Sequence, residues 1–175
     1  ELFFKPLGAA GGTIASFGTY AVGFAARPIG GIVFGHLGDR LGRKIILIIS
    51  IALMGGSSML IGLLPTYDVA GIWGAIRLVT LRIFQGLGAG AEQAGATVLI
   101  SEFAPAKRRG FFASLPFVGI QIGTLLGAGT FALLGLAPRD MLLGWLWRVP
   151  FLLGFVLIIV ALVIRMKLKE SPAFE

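Results

Sequence analysis

Gly35-His36-Leu37-Gly38-Asp39-Arg40-Leu41-Gly42-Arg43-Lys44 is a ten-residue polar knot between two long apolar runs. Gly35, Gly38 and Gly42 permit a tight reversal, because glycine takes up backbone angles closed to other residues. Arg40, Arg43 and Lys44 put positive charge at that reversal. In a membrane protein such a short basic loop stays on the cytoplasmic side. The knot therefore sets the direction of every helix that follows.

Composition requires a membrane or an equivalent apolar setting. Of the 175 residues, 57% are hydrophobic and 13% charged, against about 25% charged in soluble domains. The net charge of +7 does not point to nucleic acid. The cations cluster in short loops beside apolar runs, and no basic stripe is interleaved with aromatics. With no cysteine, disulfides, thiolate chemistry and Cys-containing metal sites are excluded. There is no initiator Met and no signal peptide, so the chain reads as a fragment that opens in mid-loop with Glu1-Leu2-Phe3-Phe4.

Working outward from the knot, five apolar spans are expected, the first four of about 20 residues or somewhat more, enough to cross a bilayer, and the fifth somewhat shorter. Residues 1–12 read as an outer loop broken by Lys5 and Pro6. The first span covers about 13–34, with Ser16, Tyr20, Gly23 and Arg27 on one helical face. The second, about 45–64, is uncharged; its Gly55-Gly56-Ser57-Ser58 suggests close packing. Pro65 ends it, and residues 66–75 read as an outer loop with Tyr67 and Trp73 at the interface.

The third span, about 76–101, is the most polar. Arg82, Gln85, Ala89 and Gln93 share one face, with Glu92 at its edge. A central Arg costs roughly 2.5–3.5 kcal/mol on the insertion scale, and each Leu, Ile, Val or Phe contributes only roughly 0.3–0.6 in return. This helix is therefore expected to insert only beside partners. Residues 102–110 read as a second cytoplasmic loop with Lys107, Arg108 and Arg109. The fourth span, about 111–136, repeats glycine at 119, 123 and 127, a surface on which a neighbouring backbone can come close. Residues 137–148 form an outer loop with Trp145 and Trp147 at the interface. The fifth span is about 149–164, closed on the cytoplasmic side by Arg165, Lys167 and Lys169. Cations thus concentrate on one side in all three inner segments, and the three Trp on the other.

The knot's Gly-x-x-x-Asp-Arg-x-Gly-Arg-Lys pattern resembles the signature loop of the major facilitator superfamily, with Gly38 where that family often has Ala or Ser. Arg82-Ile83-Phe84-Gln85-Gly86-Leu87-Gly88 is similar to its helix 4 motif, and residues 101–110 to its helix 4–5 loop. Ala26-Arg27-Pro28-Ile29-Gly30-Gly31, Gly90-Ala91-Glu92-Gln93, Trp147-Arg148-Val149-Pro150-Phe151 and Lys169-Glu170-Ser171-Pro172 together resemble the bacterial metabolite:proton symporters. These carry citrate, α-ketoglutarate, shikimate, and proline or betaine. The antiporter signature is absent, since Gly119-Ile120-Gln121-Ile122-Gly123 is followed by Thr124 rather than Pro.

The resemblance implies an all-α membrane protein comprising helices 2–6 of an N-terminal six-helix half, without helix 1 and the C-terminal half. It implies proton-coupled symport of a small organic acid or zwitterion across the inner (plasma) membrane. The proton is then the coupling ion and no other cofactor is involved. The partners are a carboxylate-bearing small molecule and the lipid bilayer. The alternatives are a transporter of another branch, for sugar uptake or drug efflux, and a non-transporting receptor or scaffold. In the last case there is no reason for Arg27, Arg82 and Glu92 to lie within apolar spans.

Arg27 and Arg82 are the leading site candidates, since cations inside spans face cavities and mark substrate or ion paths. Each has the alternative of pairing with a fixed acid and holding helices together. Glu92 is the carboxylate well inside a span, either a proton carrier or a structural partner of Arg82 or Arg27. Along one straight helix Glu92 lies roughly 15 Å above Arg82, too far for direct pairing. Tyr20, Gln85, Gln93 and Gln121 are candidates for substrate hydrogen bonds or for helix-to-helix contacts. His36, at the loop, reads as interfacial. Asp39, Arg43, Glu102 and Arg109, with Arg40 beside them, match family groups that latch one conformation by a charge network. Gly86-Leu87-Gly88-Ala89-Gly90-Ala91 fits a dinucleotide fingerprint literally, but lies inside a helix with no preceding strand, and so reads as packing. No nucleophile–base pair is present, and catalysis is not expected.

Overall fold

The computed structural model describes residues 2–167. Lys169 and the Lys169-Glu170-Ser171-Pro172 motif lie outside the described residues. Five long helices carry the fold: α1 Gly8–Leu41, α2 Arg43–Leu63, α4 Ile72–Phe103, α5 Arg109–Leu134 and α7 Val149–Lys167. Two short helices, α3 Tyr67–Ala70 and α6 Arg139–Gly144, lie between them, and no strand occurs among the described residues.

Three stretches are long and apolar enough to cross a membrane: Arg43–Leu63, Ala106–Leu134 and Leu146–Lys167. α1 and α4 are longer, at 34 and 32 residues, but they do not qualify by composition. Their glycines, arginines and other polar residues lower the hydropathy. These same two helices pack against each other more extensively than any other pair in the bundle. The residues buried along them are mostly small, Ala26 and Gly30 on α1 and Gly86, Gly90 and Ala91 on α4, while Ser16 and Tyr20 of α1 stay exposed.

The knot differs from the expected ten-residue loop. α1 runs through Gly35 and Gly38 to Leu41, and the chain reverses at Gly42 alone, with φ 98°. Only that glycine uses the freedom of a missing side chain. Glycine inside a helix costs only about 1 kcal/mol, so Gly35 and Gly38 do not stop the helix. The N–H of Gly42 donates to the Gly38 carbonyl at 3.1 Å.

The expected outer loops are also shorter. Lys5–Leu7 forms a 3-10 turn and α1 starts at Gly8 rather than near Thr13. α4 starts at Ile72, after Gly71 turns at φ 57°. α7 extends past Ile164 to Lys167, which makes Arg165 a helical residue rather than a flank. Trp73 and Trp145 are exposed, but Trp147, expected at the interface, is buried. Its ring meets Phe3 and Phe151 edge-on at centroid distances of 5.7 and 6.2 Å. Nearby, Arg148 Nη2 donates to the Leu64 carbonyl at 3.1 Å and ties the start of α7 to the end of α2.

Glycine decides how closely the helices approach. A Cβ on Gly86 would lie 2.0 Å from the Gly23 carbonyl oxygen, and one on Gly90 1.9 Å from that of Arg27. From the other side, a Cβ on Gly30 would lie 2.1 Å from the Leu87 oxygen. α1 and α4 therefore touch backbone to backbone, a contact open only to glycine. Gly88 does the same toward Ser50 and Met54 of α2, and Gly55 and Gly62 receive Ile158 and Phe151 of α7. The stripe Gly119, Gly123 and Gly127 does not: nothing among the described residues lies within 4 Å of those positions. α5 has no buried residue and sits at the rim of the bundle.

Candidate functional site

The close α1–α4 contact brings two arginines to one cleft. Tyr20 and Arg27 come from α1, Arg82 and Gln85 from α4, and Met54 from α2, around a space of about 170 Å³. Helical phase places these side chains on facing stripes, and Gly23 and Gly86 allow the stripes to meet. Arg82 Nη1 donates to Gln85 Oε1 at 2.8 Å, and Gln85 Nε2 donates to Ser58 Oγ at 2.6 Å. The Ser58 hydroxyl donates on to the Met54 carbonyl at 3.0 Å. A polar chain thus runs from α4 into the otherwise apolar α2.

The two arginines lack carboxylate partners among the described residues. Arg82 Nε is buried without a hydrogen-bond acceptor. The Arg27 guanidinium carbon lies 3.9 Å above the Phe24 ring centroid, a cation–π contact that steadies the group without neutralising it.

Glu92 was a candidate partner for Arg82 or Arg27, and the structure gives it to neither. It pairs with Arg165 of α7, and its second oxygen accepts from Ser50 Oγ at 2.9 Å. The pair is largely buried, with side-chain exposures of 19% for Arg165 and 21% for Glu92. Arg27, Glu92, Gln93 and Arg165 together border a second cleft of about 630 Å³, also lined by Pro116, Ile120 and Thr124 of α5. Gln121 is exposed on α5 and borders neither cleft. Tyr20, Arg27, Arg82, Gln85, Glu92 and Gln93 are thus gathered along one seam, and Gln121 is not.

Sequence reasoning missed Arg165, Ser50 and Ser58. Arg165 sits among terminal cations, where the positive-inside pattern accounts for it without a partner. The serines sit in an uncharged span, where small residues read as packing.

At the helix end near the knot, Arg43 Nη2 contacts Asp39 Oδ1 at 3.3 Å and Glu102 Oε1 at 3.1 Å. One guanidinium therefore joins the ends of α1, α2 and α4. Arg40 and Arg109 are exposed and join no ion pair among the described residues. His36 is exposed as well. No group of metal-binding side chains occurs among the described residues.

Residues 9–175 match the family model described as "Sugar (and other) transporter". The chain is 46% identical over its whole length to the putative transporter YdfJ of Escherichia coli K12, covering 41% of that protein. It is 44% identical to the shikimate transporter of the same organism, over 99% of this chain and 40% of the relative. With the E. coli K12 proline/betaine transporter the identity is 40%, over 93% of this chain and 33% of the relative. The chain thus spans about two fifths or less of the length of these curated relatives. Among solved structures, the inward-open xylose transporter XylE from E. coli shares the fold, with a TM-score of 0.79 over 99% of this chain and 42% of that one at 22% identity. The family and its members are transporters rather than enzymes, and the apolar helices fit a multi-pass membrane protein. The chain belongs to the sugar (and other) transporter family, within the major facilitator superfamily.

Proposed function

We propose that the chain is part of the N-terminal half of a proton-coupled symporter for a small organic acid or zwitterion. The observation that carries this reading is the pair of guanidiniums, Arg27 and Arg82, bordering one cleft with no carboxylate to neutralise either among the described residues. Two such charges inside a membrane bundle are costly unless an anion completes them. A carboxylate is the natural counter-ion, since a guanidinium presents paired donors to it. The names of the shikimate and proline/betaine transporters support the same class. Tyr20, Gln85 and Gln93 supply hydrogen bonds, and Glu92 is the candidate proton carrier of the seam.

In this reading the basic ends, residues 35–44 and 102–110 and the end of α7, face the cytoplasm. Helix 1 and the C-terminal half complete the site from elsewhere in the protein. The Asp39–Arg43–Glu102 junction holds the helix ends together in one conformation and opens in the other, with Arg40 and Arg109 as neighbours.

The test is ligand binding to the purified full-length protein, read as thermal stabilisation. Small hydroxy-carboxylates and betaines are compared with the amide or alcohol that lacks the carboxylate. Binding of a carboxylate, weakened about tenfold or more in Arg27→Ala and in Arg82→Ala, is the expected result. Equal binding of the uncharged analogues would overturn the anion-site reading.

A further inference from the structure

The second cleft contains one carboxylate and two guanidiniums: Glu92 from α4, Arg27 from α1 and Arg165 from α7. Glu92 is occupied by Arg165 and by the Ser50 hydroxyl, whereas Arg27 has only the Phe24 ring. Yet the Arg27 and Glu92 side chains line the same cleft, although Glu92, two residues beyond the Gly90 that touches the Arg27 carbonyl, leaves α4 on a different face. A carboxylate that shares a low-dielectric cleft with an unpaired guanidinium is attracted to it, and that pull competes with whatever else holds the carboxylate. The α2 and α5 walls offer no competing charge: Ser50 and Met54 border Glu92 from α2, and Pro116, Ile120 and Thr124 face it from α5.

We propose that Arg165 is a positioning residue of the anion site. It anchors Glu92 on the α7 side and so keeps Arg27 free for the charge of the substrate. The Glu92–Arg165 pair is therefore more than a strut between α4 and α7, because it determines where the surplus positive charge of the seam resides. Without Arg165, Glu92 would swing to Arg27, and the site would become internally neutral and lose its affinity for anions. This inference rests on the anion-site reading above, but its first test does not need a substrate.

The test uses the full-length protein in detergent and the guanidine-modifying dicarbonyl phenylglyoxal, with modification at Arg27 read by peptide mass spectrometry. In the parent protein Arg27 reacts. In Arg165→Met its labelling falls about tenfold, and in the double variant Arg165→Met with Glu92→Gln it returns to the parent level. Arg165→Lys, which keeps the charge, leaves Arg27 reactive. A merely structural pair predicts the opposite sign, since loosening the bundle raises labelling. Should Arg165→Met fail to fold, Arg165→Lys and the double variant decide the matter: protection of Arg27 in either overturns the proposal. An unreactive Arg27 in the parent, or unchanged labelling in a folded Arg165→Met, overturns it as well. A second arm adds millimolar carboxylate to the parent protein. If the variant pattern holds but carboxylate gives Arg27 no protection, the positioning role stands and the anion-site reading fails.

Discussion

Two helices of this bundle repeat glycine every fourth residue, and their glycines meet different fates. On α4, Gly86 and Gly90 press onto the carbonyls of Gly23 and Arg27, closer than any side chain could allow. On α5, Gly119, Gly123 and Gly127 face open space among the described residues. The spacing is the same, so spacing licenses a close contact without creating one. What differs is the partner. α1 carries its own glycines at 23 and 30 opposite those of α4, and both helices carry arginines that need a protein interior rather than lipid. The tight seam and the polar cleft are therefore one feature. Backbone contact at glycine leaves the long side chains at 20, 27, 82 and 85 to converge beside it.

The comparison can be broken by adding single methyl groups. Gly90→Ala places a Cβ against the Arg27 carbonyl, where neither backbone can give way, and is expected to cost about 3 kcal/mol or more of stability. A large drop in the unfolding midpoint in detergent checks this. An unchanged midpoint would mean that α1 and α4 do not touch at Gly90. Gly55→Ala meets the Ile158 side chain rather than backbone, and a smaller loss of about 1–2 kcal/mol is expected. Ser58→Ala, which removes the acceptor of Gln85 Nε2, is expected to cost about 1 kcal/mol. Gly123→Ala should lie within about 0.5 kcal/mol of the parent. A loss as large as that for Gly90→Ala would reveal a backbone seated on the α5 stripe from outside residues 2–167.

Much of this architecture was legible in the sequence because long apolar runs and their breaks follow from local chemistry. Pro65 and the basic clusters mark helix ends wherever the helices lie. The phase of Arg82, Gln85 and Gln93 gave their common face for the same reason. The stopping point of α1 was less legible. Gly35, Gly38 and Gly42 look alike in sequence, and only Gly42 takes a positive φ. Ion-pair partners were least legible. Arg165 is separated from Glu92 by 73 residues, and its position at a helix end supplies a local reason for a cation. Only the packing of both α4 and α7 on α2 brings it within reach as a partner. Likewise nothing local distinguishes Gln121, on an exposed face, from Gln93, which borders the cleft.

The central claim is that Arg27 and Arg82 form an unneutralised anion site in a proton-coupled carrier. The most direct measurement places the full-length protein in liposomes with a pH-sensitive dye trapped inside, and adds carboxylates and zwitterions with and without Arg82→Ala. The account predicts internal acidification when a carboxylate-bearing compound is added, abolished by Arg82→Ala. Uptake of labelled substrate with no change in internal pH would contradict proton coupling. Acidification that survives Arg82→Ala would remove Arg82 from the mechanism.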